Sequence, residues 1–94
     1  MSAGNQGVLT NERVANLHVL RGAVEARREL ACELIERRGV TWISVARFGG
    51  SGRLVLVGCD FVREAWWFTW QDGRPIAPVR DVEGVIAMLV RELA

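Results

Sequence analysis

Hydrophobic residues recur along this chain in two different rhythms. From Thr10 to Arg38 they return every three or four positions. At roughly 100° per residue, Leu17, Leu20, Val24, Ala31, Leu34 and Ile35 fall within one arc, which predicts an amphipathic helix. Ala23, Leu30, Val19 and Ala26 widen that arc, while Glu25, Glu29, Glu33, Glu36, Arg21 and His18 lie opposite. Thr10 or Asn11 serves as the N-cap, and Arg37-Arg38 followed by Gly39 marks the stop, with glycine at the C′ position. Gly22 interrupts the polar side, and Arg27 falls inside the apolar arc. Arg27 is read first as a side chain that snorkels at an edge or meets an acid on a neighbouring element, and second as an interface anchor. Ahead of this helix, residues 1–9 carry no periodic pattern and are expected to form a disordered tail.

After Gly39 the rhythm shortens to that of strands. Val40 to Phe48 is rich in β-branched and aromatic residues, with Ile43 and Val45 on one face and Trp42, Ala46 and Phe48 on the other. Gly49 to Gly52 reads as a loop and Arg53 to Cys59 as a second strand. A break is expected at Asp60, then a third strand from about Arg63 to Trp70. Asp72-Gly73 predicts a two-residue type I′ turn into a short edge strand, Arg74 to Val79. That register sets Thr69 against Ile76 and Phe68 against Ala77, and Pro78 ends the pairing because it has no N–H to donate. Asp81 caps a closing helix from Val82 to Leu93. The expected architecture is a two-layer α+β domain over residues 10–94, ordered α-β-β-β-β-α, with a four-stranded antiparallel meander and a long first helix.

Composition adds a hint of partnership. Half of the 94 residues are apolar, and so small a domain has much surface relative to its volume. Net charge is +1, from twelve arginines and eleven acids with no lysine. Such balance argues against a dedicated nucleic-acid surface. Nothing at the start of the chain reads as a signal peptide, and no apolar run is long enough to span a membrane. Two cysteines far apart in sequence fit free thiols in a reducing cytoplasm.

Four constellations carry residue types with candidate chemistry. Cys59-Asp60 with His18 has the residue types of a nucleophile, an acid and a base, but no spacing that joins them. One histidine and two cysteines are too few for a zinc site. Gly49-Gly50-Ser51-Gly52 lacks the lysine and the following helix of a phosphate loop. The remaining feature is Trp66-Trp67-Phe68-Thr69-Trp70. Alternation puts Trp66, Phe68 and Trp70 on one face and Trp67 on the other with Ala65 and Thr69, and one of those faces has to build the core. No catalytic residue, cofactor or metal ligand set is assigned.

The run Trp66 to Trp70, then Arg74, Ile76-Ala77-Pro78-Val79 and Asp81-Val82, resembles the C-terminal signature of small uncharacterised actinobacterial proteins. Those proteins carry a tryptophan-rich strand, an Arg-Ile-Ala-Pro-like strand and an Asp-capped closing helix. The resemblance spans the last third of the chain, with Pro75 intervening between Arg74 and Ile76. It implies an accessory role, with a helix-turn-helix regulator as a possible protein partner.

The expected function is a non-catalytic protein-interaction module, homodimeric, accessory or regulatory. The alternative is a small-ligand or nucleic-acid binder that uses the tryptophan face. The predicted interface comprises Leu17, Leu20, Val24, Arg27, Trp66, Trp67, Phe68 and Trp70. Its first three members follow from length. A continuous 10–38 helix would run about 43 Å, past the end of a strand of about 25 Å, and would expose an apolar stripe for a twofold mate.

Overall fold

A computed structural model describes residues 3–50 and 52–94, with side chains from Glu12 onward. Helix α1 (Ala3–Glu25) leads into five strands: β1 (Leu30–Arg37), β2 (Val40–Arg47), β3 (Leu54–Val62), β4 (Ala65–Trp70) and β5 (Pro75–Pro78). Helix α2 (Val82–Leu93) closes the chain. The strands form one antiparallel meander in sequence order. The fold is α+β, as the sequence predicts, with five strands where four were expected.

The additional strand is the second half of the predicted long helix. α1 passes through Gly22 and stops at Glu25, and Ala26 to Glu29 make a turn held by Arg27 N–H donating to Val24 O at 3.0 Å and Leu30 N–H to Arg27 O at 3.3 Å. Leu30 to Arg37 then pairs with β2 along its whole length, from Leu30↔Arg47 to Arg37↔Val40. The reason is the neighbour. β2 is apolar on both faces, and an unpaired edge there would leave its backbone groups without partners. Pairing outweighs a helical rhythm that Leu34-Ile35 satisfies equally well in either conformation. Arg38 (φ 52°) and Gly39 (φ 78°) form a two-residue hairpin turn. The glycine read as a helix stop therefore serves a type I′ turn, which needs the same positive φ.

Other boundaries move as well. α1 begins at Ala3, inside the segment expected to be a disordered tail, while Met1 and Ser2 and the capping side chains of Thr10 and Asn11 lie outside the described residues. No break occurs at Asp60: β3 continues to Val62 and turns through Arg63 (φ 51°) and Glu64 (φ 65°) into β4. Phe68 faces Ala77 as expected, but a bulge then sets Thr69 against Pro75 instead of Ile76. The loop after Trp70 has three residues, closed by Trp70 N–H donating to Arg74 O at 2.9 Å and Gly73 N–H to Trp70 O at 3.0 Å. Gly73, at φ 91°, holds the left-handed position of that loop, where a bulge absorbs the odd residue. β5 is short and lies at the sheet edge.

Both helices pack on one face of the sheet. One cluster joins Leu17, Leu20 and Val24 of α1, Ile43 and Val45 of β2, Val57 and Cys59 of β3, Phe68 of β4, and Val85, Ile86, Leu89 and Leu93 of α2. Asp81 anchors α2 by accepting the Gly84 N–H at 3.0 Å. Among the described residues, no helix or strand covers the opposite face of the sheet.

Candidate functional site on the open sheet face

The predicted interface residues divide by burial. Leu17, Leu20, Val24 and Phe68 are 0% exposed in the single chain, so none of the four is open to a partner. With α1 ending at Glu25, its Leu17, Leu20 and Val24 stripe lies against the sheet. Trp66 and Trp70 flank the same core, half-buried. Arg27 pairs with Glu29 at 3.0 Å, two residues along the same turn and not on a neighbouring element. That hydrogen bond raises the pKa of Arg27 and lowers that of Glu29. Trp67 alone of the eight stands on the open face.

Around Trp67 the strands build a platform. It lies between Asp60 on β3 and Pro78 on β5, each directly opposite it. A hollow of about 420 Å³ opens here, lined by Val62, Arg63, Ala65, Trp67, Thr69, Gly73 and Pro75. Leu54 and Val62 add exposed apolar surface to the same face. Thr69, only 2% exposed, is the one polar residue buried in the chain's described part. Its hydroxyl is spoken for, donating to Asp60 Oδ2 at 3.1 Å.

The other Asp60 oxygen meets a residue from the opposite side of the sheet. Arg13 belongs to α1, on the helix-covered face, yet its Nη1 lies 3.0 Å from Asp60 Oδ1. The route is a split in the sheet. β2 and β3 pair only as far as Ile43↔Val57. Beyond that point Arg13 Nη1 donates to Cys59 O, and Nη2 donates to Thr41 O at 2.9 Å. The guanidinium thus replaces the missing ladder bonds between two diverging strands, with a geometry suited to its fixed fork of donors. Its carbon lies 5.3 Å from the centre of the Trp42 ring, within cation–π range. Arg13 Nε is buried with no hydrogen-bond partner among the described residues.

Gly58 makes room for this arrangement. A Cβ there would stand 2.8 Å from Trp42 Cζ3 and 3.1 Å from Arg13 Nη2. Arg13 went unnoticed in the sequence, where it is one more charge in a helix. Gly58 is the available signal, since a glycine inside an apolar strand often marks a close approach.

The thiols are poor nucleophiles. Cys59 is fully buried, and burial pushes its pKa up to about 11, partly opposed by Asn16 Nδ2, 3.6 Å from Sγ. Burial also raises Cys32, with Glu25 adding to the effect. Thiolate is the reactive form, so both are held in the unreactive one at neutral pH. His18 sits exposed on α1, with no hydrogen bond to either cysteine among the described residues. Among the described residues, no cluster of three or more His, Cys, Asp or Glu side chains is placed to hold a metal ion. No helix of the described residues is long and apolar enough to cross a membrane. No family model, curated protein or solved structure matches this chain.

Proposed function

We propose that the chain is a non-catalytic protein-interaction module, a homodimeric accessory or regulatory protein that docks a protein partner on its open sheet face. The observation that carries this reading is Trp67 at the rim of an apolar hollow on a face that no described element covers. Tryptophan in such a setting presents a large rigid contact area at little entropic cost. Asp60, Arg63 and Thr69 supply a polar border around that apolar centre, the layout of an ordinary interface. A helix-turn-helix regulator remains the partner type implied by the resemblance of the last third. The test is co-purification from the native host with wild type and with Trp67→Glu, followed by titration of the purified pair. A partner that binds the wild type and is lost with a folded Trp67→Glu supports the reading. A partner retained at equal affinity overturns it.

A second reading rests on the volume of the hollow. About 420 Å³ lies within the range of small-molecule sites, roughly 300–1,000 Å³. An apolar ligand stacked on Trp67 would quench its fluorescence saturably at low micromolar concentration. Oligonucleotides belong in the same panel, although a net charge of +1 supplies little of the electrostatic term that drives such binding.

A further inference from the structure

We propose that β1 is a self-pairing edge: two copies join antiparallel through Leu30–Arg37, centred on Ile35, into one continuous ten-stranded sheet. The inference rests on the homodimeric reading above and names its surface.

The backbone parity of β1 comes first. Phe48 N–H donates to Glu29 O at 2.9 Å, and the register continues through Leu30↔Arg47 to Arg37↔Val40. Hydrogen-bonded positions alternate in an antiparallel ladder. Ala31, Glu33, Ile35 and Arg37 therefore turn their backbone groups toward β2. Cys32, Leu34 and Glu36 turn theirs outward. No side chain or turn among the described residues bonds to those outward groups. β1 is the first strand of the sheet, eight residues long, with no proline and no bulge. It lacks the usual protections of a free edge.

The side chains then choose the occupant and the register. Glu33 and Arg37 are exposed, lie on the open face, and enter no ion pair among the described residues. A twofold through Ile35 sets Glu33 of one copy directly against Arg37 of the other, twice. It also places the two half-buried Ile35 side chains in contact between these pairs. Opposite charges facing across strands are favourable, and like charges are not. A twofold centred on Glu33 would set two glutamates together. Twofolds centred on Leu34 or Cys32 would leave Glu33 against Ile35 or Ala31. Only the Ile35 register pairs both charges and keeps the apolar residue on the axis. Backbone bonds then run between Leu34 of each copy and Glu36 of the other. Because the axis is perpendicular to the sheet, both open faces look the same way, and the two Trp67 platforms share one surface.

Three measurements test this. Wild type should sediment as a dimer at 100 µM, and a folded monomer there would overturn the dimer and the edge together. Ile35→Cys in a Cys32→Ser background should oxidise to a covalent dimer, because directly opposed residues of a non-hydrogen-bonded pair lie within disulfide reach. A dimer that persists without cross-linking overturns the Ile35 register while leaving a homodimer standing. Glu33→Arg should shift the protein to monomer with unchanged circular dichroism, and adding Arg37→Glu should restore the dimer. Failure of that double variant to regain the dimer sinks the proposed charge pairing. Leu34→Pro removes one outward N–H and no bond within the chain, so it too should yield folded monomer.

Discussion

Arg13 and Asp60 form an ion pair through the sheet: the arginine starts on the helix side, the aspartate stands on the open side, and Nη1 and Oδ1 meet at 3.0 Å. The pair does more than join charges, because the same guanidinium satisfies the carbonyls of Thr41 and Cys59 where β2 and β3 part. The two partners should therefore respond unequally to substitution. Arg13→Ala orphans two backbone acceptors where the strands part, and the expected loss is about 2–4 kcal/mol. Asp60→Asn should cost about 1 kcal/mol or less, since that side chain is half exposed. In a domain of this size each kcal/mol lowers the melting temperature by roughly 4–8 °C. Calorimetry on both variants checks the ordering. Equal losses would mean that the ion pair, and not the strand bridge, is what matters.

Gly58→Ala should be destabilising by about 1–3 kcal/mol through overpacking. The added methyl has to displace the Trp42 ring, 2.8 Å away, or the Arg13 guanidinium, 3.1 Å away. Trp42→Leu removes the nearer obstacle. The double variant should therefore lose less than the sum of the two single losses. Strict additivity in urea denaturation would show that Trp42 and Gly58 do not share this space.

The turns offer a pair of opposite outcomes. Arg63 and Glu64 hold positive φ angles of 51° and 65° without being glycine, a conformation that costs most residues about 1 kcal/mol or more. Replacing them with Asn-Gly should stabilise the β3–β4 hairpin by about 1 kcal/mol. Gly73→Val runs the other way, forcing a β-branched residue to φ 91°, and should cost at least that much. Melting temperatures that move in the same direction for both changes would contradict the backbone described for these loops.

Alkaline pH should expose the buried thiol. In the fold Cys59 holds its proton up to about pH 11, whereas in the unfolded chain a thiol releases it near 8.5. The folded state therefore binds this proton more tightly. Its contribution is complete below about pH 8.5 and is lost as pH rises through 11. Cys32, also raised by burial, acts with the same sign. The chain has no tyrosine and its twelve basic residues are all arginine, so no other side chain titrates in that window. Stability should fall by on the order of 2 kcal/mol between pH 8.5 and 11, and Cys59→Ala should flatten most of the slope. A slope unchanged in that variant would place the titrating group elsewhere.

Much of the fold was determined locally and could be read from the chain. The Val40–Phe48 strand, the two faces of the tryptophan strand, the Phe68–Ala77 pairing and the Asp81 cap each depend on neighbours in sequence. Alternation and an N-cap carboxylate act over a few residues, so they leave a local mark. The missing N–H of Pro78 did not end the pairing as expected: Trp67 still faces Pro78, and Val79 N–H donates to Trp66 O at 3.1 Å. Leu30–Arg37 was decided by tertiary structure. Its pattern suits a helix or a strand, and the choice falls to β2, which needs a hydrogen-bonded neighbour on its free side. That choice in turn shortened α1 and moved Leu17 and Leu20 from a supposed dimer stripe into the core. The Arg13 bridge was beyond sequence reasoning for the same physical reason. Its partners at Thr41, Cys59 and Asp60 are 28 to 47 residues away, and nothing local to an arginine in a helix records where two strands will separate. Gly58 alone carried a trace of it, because a missing side chain is the one local sign of a distant atom that takes its place.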